Sequence, residues 1–407
     1  MRIFVSAGEP SGDLHAANLI REMRRRWPDA EFVGYGGPRM EEAGATVLFP
    51  LVEMAVMWFL RVLLNLHKFL GLVGRADRFY RDQRPDAEIL IDYPGLHWWI
   101  ARKAKARGIP VFYYVPPQIW AWAGWRVEKV RKFVDHVLCS LPFEPAWYHA
   151  RGVPGAVYVG HPYFDELADR PLDAGFLDSQ RGRGGPVVAI LPGSRTQEVA
   201  RNVPIMLRAA AKLAARRPDA RFVVACLHDR HRALVEGLIA DSGVRLAIEV
   251  FAAKTPELIR LADVAWAVSG SVGLELMVEA LPSVVLYKVK RFDLWVARHF
   301  IKSRFISLVN LLADAEVMPE YLTPFDVSDE LARWAATWLD DPRARDEASR
   351  RLAELRDRVA VPGASARAAD RIAEVLGKPG RPGVSPYQGP HGRPVSLAND
   401  EAEDPAH

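Results

Sequence analysis

The sequence predicts an α/β chain of two Rossmann-like domains, each built on a parallel sheet and facing the other across a cleft. Three observations predict it. Val187-Val188-Ala189-Ile190-Leu191 reads as a buried strand that enters the turn Pro192-Gly193-Ser194-Arg195, and a helix follows with Met206, Ala209, Ala210 and Leu213 on one face. The same unit occurs at the N-terminus: residues 2–33 and 187–223 each run strand, Gly loop and basic-ended helix, closing on Pro28-Asp29-Ala30-Glu31-Phe32-Val33 and Pro218-Asp219-Ala220-Arg221-Phe222-Val223. Ala262–Val268 is another apolar strand that ends in Ser269-Gly270-Ser271-Val272-Gly273-Leu274-Glu275 and opens a helix. Alternation on this scale implies parallel strands joined by crossover helices.

Composition sets bounds on this reading. A length of 407 residues favours two domains, and 50% hydrophobic residues suffice for sizeable cores. The net charge of +4 and a pI near 9.0 suit anionic ligands or an anionic membrane surface without demanding nucleic acid. Cys139 and Cys226 stand far apart in apolar runs, as reduced core residues rather than a disulfide or metal pair. Met1–Ser6 goes directly into a strand pattern without a signal-peptide layout, which points to the cytoplasm.

In chain order, residues 2–6 form a strand, Ala7–Asp13 a loop, and a helix runs to about Arg26 before the strand at 31–33. Strands near 88–92, 109–115 and 135–141 continue the first domain, which spans 1–180. Arg181-Gly182-Arg183-Gly184-Gly185 is a linker by composition. Strands near 187–191, 221–226, 263–268 and 283–287 build the second domain, 181–360. Helices are expected at 291–302, 328–339, 343–357 and 364–376, the C-terminal helix of 361–377 packing back on the first domain. Residues 378–407, rich in Pro and Gly and acidic at the end, are expected to be disordered.

Residues 54–74 are apolar, but Arg61, Asn65 and Lys68 interrupt them, so the uncharged stretch of about 20 residues needed to span a bilayer is lacking. As a helix, the segment places Arg61, Asn65, Lys68 and Arg75 on one face and Val62, Leu66, Phe69 and Val73 on another. A core-facing helix and a membrane-surface helix both fit; in the second, Trp58, Phe59, Arg61 and Lys68 face the bilayer.

The two Gly-containing loops of the second domain carry the chemistry. Gly193 lets backbone approach a phosphate, neighbouring N–H groups meet the anion, and Arg195 adds a forked donor; an ordinary strand-to-helix turn is the alternative. Ser269, Gly270 and Ser271 can hold a diphosphate, and Glu275, one turn on, can accept from ribose hydroxyls. Two such loops in one half make a nucleotide site the leading reading.

A longer set of motifs resembles lipid-A-disaccharide synthase, a cytoplasmic glycosyltransferase family of the GT-B fold. It comprises Ala7-Gly8-Glu9-Pro10-Ser11-Gly12-Asp13, Gly37-Pro38-Arg39-Met40, Ile91-Asp92-Tyr93-Pro94, Pro117-Gln118-Ile119-Trp120-Ala121-Trp122 and Leu141-Pro142-Phe143-Glu144. Gly160-His161-Pro162, Leu191–Arg195, Ser269-Gly270-Ser271, Ser307-Leu308-Val309-Asn310 and Pro319-Glu320 follow in family order, over about residues 1–376. The resemblance implies transfer of 2,3-diacylglucosamine from UDP onto 2,3-diacylglucosamine 1-phosphate, giving the β-1,6-linked lipid A disaccharide 1-phosphate and UDP. It also implies peripheral contact with the anionic cytoplasmic face of the inner membrane. A homodimer is among the assemblies the sequence allows. Departures cluster in the N-terminal, acceptor-side half. Trp58 and Arg61 replace the usual Gly and Glu, Tyr93-Pro94-Gly95-Leu96-His97 replaces Ala-Pro-Asp-Phe-Asn, and Ala123 replaces an Arg, with Arg126 close by. Two other readings stay open: a different GT-B UDP-sugar transferase or epimerase, and a non-catalytic lipid- or nucleotide-binding relative.

Inverting transfer needs a base for the acceptor 6-hydroxyl. The resemblance assigns it to Asp92 at a strand end, where capping the next helix is the alternative; Asp13 is the competing carboxylate, with N-capping as its ordinary role. No Asp-x-Asp pair precedes the tail, so metal-independent stabilisation of UDP by Arg195 and backbone amides is expected, with no cofactor. Glu198, Asn310 and Glu320 are carried over as UDP-sugar-side residues, and Glu9, Ser11, Gly12, Gln118 and His161 as acceptor-side or cleft residues. Trp120 and Trp122 are read as packing more than stacking.

Overall fold

The computed structural model describes residues 1–53, 66–291, 294 and 303–377. The expectations for Trp58, Phe59 and Arg61, for most of the helix at 291–302 and for the tail at 378–407 lie outside them. The chain forms two compact units: Met1–Glu166 together with the chain from Val361, and Leu167–Ala360.

Unit one carries seven parallel strands: β1 (Arg2–Ala7), β2 (Glu31–Tyr35), β3 (Thr46–Phe49), β4 (Ala87–Ile91), β5 (Val111–Tyr114), β6 (His136–Cys139) and β7 (Ala156–Tyr158). Their order is β3-β2-β1-β4-β5-β6-β7, so connections run outward in both directions from the β1–β4 pair. The register sets Ser6 beside Leu90 and Ala7 beside Ile91, which brings the loops after β1 and β4 together. β1 and β4 bury almost every side chain, as strands covered on both faces do.

The helix Ala364–Val375 belongs to unit one. Ala368, Ala369 and Ile372 join the core of the helix Pro10–Arg26. The Asp165 carboxylate accepts from the N–H groups of Gly363, Ala364 and Ser365 at 2.6, 3.0 and 2.9 Å, capping the helix start. Arg26 pairs with Asp370 at 2.7 Å. In the helix Leu66–Gln83, Leu72, Val73, Ala76 and Tyr80 are buried at helical spacing, whereas Lys68 and Leu70 are exposed.

Unit two carries six parallel strands: β8 (Val187–Leu191), β9 (Arg221–Cys226), β10 (Ile248–Ala252), β11 (Val264–Val268), β12 (Ser283–Lys288) and β13 (Glu320–Thr323). Their order is β10-β9-β8-β11-β12-β13, with the reversal at the β8–β11 pair. The helix Thr196–Ala214 follows β8 and packs Met206, Ala209, Ala210 and Leu213 into the core. The helix Ala174–Arg181 also lies in this unit, so the boundary precedes the Arg- and Gly-rich segment. Its fastenings explain why: Asp173 pairs with Lys254 at 2.6 Å, and Arg221 donates to Gln180 Oε1 at 2.7 Å.

Candidate active site

In open parallel sheets, ligands bind beyond the carboxyl ends of the strands where the strand order reverses. Each unit has such a point, and each is occupied by motifs singled out in the sequence: residues 8–13 and 92–93 in unit one, 192–195 and 269–271 in unit two.

In unit one, Asp92 and Tyr93 follow β4 in the left-handed conformation, at φ 50° and 46°. Two consecutive non-glycine residues there are strained, and such strain concentrates at functional sites. The Asp92 carboxyl is pushed up to about 6, first by burial and then by Glu9 across the loop. Glu9 is half-buried at the N-cap of the helix Pro10–Arg26, Ser11 is exposed and Gly12 is buried.

Asp13 does not cap its own helix. It is 2% exposed, and its carboxylate accepts from the N–H groups of Gly37, Arg39 and Met40 at 2.8, 3.0 and 3.2 Å, at the start of the helix Pro38–Glu42. A β-carbon at Gly37 would stand 2.6 Å from Asp13 Oδ2, so Gly37 answers to this carboxylate. Gln118 is half-buried at the N-cap of the short helix Ile119–Trp122. His161 meets His15 edge-on at 6.1 Å and accepts from the Tyr163 N–H at 3.2 Å; burial pulls its imidazole down to about 4, so it is neutral.

Trp120 is buried and donates to Glu144 Oε1 at 3.0 Å, while Glu144 Oε2 accepts from the Ser140 and Leu141 N–H groups. That carboxylate ties the loop after β5 to the loop after β6, a role its place in Leu141-Pro142-Phe143-Glu144 does not announce. Trp122 is 45% exposed and takes the Arg126 guanidinium over its ring at 4.5 Å.

In unit two, Gly193 has φ 117°, which only glycine adopts without strain. The Ser194 and Arg195 N–H groups donate to Glu198 Oε2, both at 3.2 Å, and the Arg195 side chain bonds Glu198 Oε1 at 2.9 Å. Glu198 therefore closes the turn as its own internal anion. Ser269 donates to the Ile306 carbonyl at 2.9 Å; Gly270 and Ser271 are exposed, with open space beside the Gly270 α-carbon. Glu275 is 8% exposed and pairs with Arg170 at 2.8 Å, a partner that the sequence does not reveal.

Asn310 is fully buried. Its amide N–H groups go to the Met318 carbonyl and Glu320 Oε2, and its Oδ1 accepts from the Val317 and Met318 N–H groups. Glu320 also accepts from the Ile306 and Ser307 N–H groups at 2.8 and 3.0 Å. The pair holds the segment against which Ser269 is anchored. Among the described residues, no three His, Cys, Asp or Glu side chains have metal-binding geometry, and no helix is long and apolar enough to cross a membrane.

Residues 3–352 match the family described as lipid-A-disaccharide synthetase. This chain belongs to that family. It is 38% identical over 387 residues to the lipid-A-disaccharide synthase of Myxococcus xanthus, covering 93% of this chain and 98% of the relative. It is 35% identical over 386 residues to that of Geobacter sulfurreducens, with the same coverage. Solved structures similar in fold include the S. aureus MnaA–UDP co-structure, at TM-score 0.65 and 13% identity over 94% of this chain and 100% of that one. The UDP-GlcNAc 2-epimerase from Neisseria meningitidis bound to UDP-GlcNAc follows at TM-score 0.60 and 11% identity, over 92% and 99%. At these identities the likeness carries the fold alone, two Rossmann-like parallel-sheet domains of the GT-B type. The family membership rests on the sequence relatives.

Proposed function

We propose that this lipid-A-disaccharide synthetase relative is an inverting glycosyltransferase that joins a 2,3-diacylglucosamine, carried by UDP, to the 6-hydroxyl of 2,3-diacylglucosamine 1-phosphate. The observation that carries the mechanism is Asp92: a half-buried carboxyl at the switch point of unit one, pushed up to about 6 by burial and then by Glu9. A base works best with a pKa near the working pH. In the transfer, Asp92 accepts the hydroxyl proton as that oxygen attacks the anomeric carbon. The bond from that carbon to the UDP oxygen breaks, and its electron pair leaves with UDP.

The donor side is assigned to the loops after β8 and β11. Arg195, 72% exposed at its side chain, meets the diphosphate together with the Gly270 and Ser271 backbone. Glu275, oriented by Arg170, meets the ribose. Glu198, Asn310 and Glu320 shape those loops. The fully backbone-bonded Asp13 is set aside as a base in favour of Asp92.

Both substrates carry acyl chains, so the reaction takes place at the cytoplasmic face of the inner membrane, with the protein docked peripherally. Exposed Lys68 and Leu70 on the helix Leu66–Gln83 support contact on that side. Incubation with UDP-diacylglucosamine, with and without the lipid acceptor, tests the proposal. Acceptor-dependent UDP release and a disaccharide product are expected; UDP release independent of acceptor, or binding without turnover, contradicts it.

A further inference from the structure

We propose that His97 is a positioning residue, which, held by Ser6, fixes the backbone of Asp92 in the conformation that presents its carboxylate to the acceptor. The inference rests on Asp92 as the base and adds the device that holds it.

The Asp92 carbonyl oxygen lies 2.6 Å from His97 Nδ1 and accepts from the Tyr113 hydroxyl at 2.9 Å. A carbonyl only accepts, so Nδ1 carries the imidazole proton. Nε2 is then an acceptor, and it stands 2.9 Å from Ser6 Oγ, whose hydroxyl donates to it. Every polar atom of this fully buried ring is thereby used, and the tautomer is fixed.

The three partners come from three elements: Ser6 from β1, His97 from the helix Pro94–Lys105, and Tyr113 from β5. His97 and Tyr113 converge on a carbonyl whose residue is left-handed, as is the next one, and Ser6 holds His97 in place. That conformation is strained for a non-glycine residue, so it persists only where its surroundings over-determine it. Burial pulls His97 down to about 3, so it is neutral at any working pH and acts on Asp92 through geometry. Among the described residues, Glu9 is the charged group that acts on Asp92, Tyr93 is raised by burial and by the same Glu9, and Tyr113 faces both Asp92 and Arg126.

The test compares His97→Ala, His97→Asn and Asp92→Asn, alone and combined, by kcat, KM and UDP affinity. His97→Ala is expected to lower kcat by about 10²-fold, the scale of a small misplacement of a reacting group, with UDP affinity unchanged. His97→Asn retains an N–H that can reach the Asp92 carbonyl and is expected to recover most of that loss. In the Asp92→Asn background, His97→Ala should cost nothing more. Wild-type kcat in His97→Ala, no rescue by Asn, or an equal loss in both backgrounds overturns the positioning role while leaving Asp92 as the base. Full activity in Asp92→Asn instead overturns the reading of the base. Nitrogen NMR of the wild-type imidazole is a check that needs no variant to fold: an Nδ1–H tautomer is expected, and an Nε2–H tautomer overturns the proposal.

Discussion

The Tyr93 ring packs against Gly8: a β-carbon added to Gly8 would stand 2.2 Å from it. The contact locks the loop after β1 to the loop after β4, and no side chain fits between them. Gly8→Ala should therefore destabilise the fold by about 1–3 kcal/mol, the cost of overpacking, and lower turnover through the displaced Asp92 loop. Gly12→Ala is the control. Its β-carbon would meet Ala7 and Ile91 at 3.6 Å, ordinary contact, inside a helix where alanine is favoured. Denaturant melts should show Gly8→Ala weakened and Gly12→Ala unchanged or strengthened.

Asp13→Asn separates a structural carboxylate from a chemical one. The amide keeps one acceptor oxygen for three backbone donors and loses the charge, so a stability loss of about 1–3 kcal/mol is expected. Turnover per folded molecule should fall less than tenfold. A loss of two or more orders with an unchanged melt would return Asp13 to the chemistry.

Glu88 sits fully buried in β4. The Tyr80 hydroxyl donates to one oxygen, and the other has no partner among the described residues. Burial pushes it from an ordinary 4.5 up to about 8. The native state thus holds a proton that the unfolded chain releases, and stability should fall as pH rises from about 4.5 to about 8, by up to about 1.4 kcal/mol per pH unit. Glu88→Gln should remove that slope when unfolding is followed across the range. A slope unchanged in the variant would mean that Glu88 is ionised in the native state.

How much of this was legible follows burial. The expected strands match interior strands of the two sheets, whose apolar runs are nearly continuous. The four strands that the sequence does not predict, β3, β7, β10 and β13, are the four sheet edges, short and partly exposed, so they lack that signal. At the site, Asp92 is legible as a strand end. Its left-handed backbone is not, because sheet register alone brings Tyr113 to its carbonyl and Ser6 to the His97 that holds it. Glu198 shows the acid expected three residues after an N-cap, but the cap is Arg195 rather than Ser or Thr, so a capping role is hidden behind a ligand role.

On the donor side, Arg195→Ala and Glu275→Ala should each weaken UDP binding by about 1.5–3 kcal/mol, the worth of a hydrogen bond to a charged group. Arg170→Ala, which frees Glu275 from its ion pair, should weaken it less. Titration calorimetry reads all three. Unchanged affinity in both Arg195→Ala and Glu275→Ala would place the nucleotide elsewhere.

The central claim is that Asp92 takes the acceptor proton while UDP is held by the other unit. Turnover and UDP affinity of Asp92→Asn, measured on the same preparation, test it most directly. Turnover should fall by about two to four orders of magnitude, the usual contribution of a general base, with UDP affinity at the wild-type value. Turnover near wild type would contradict the account.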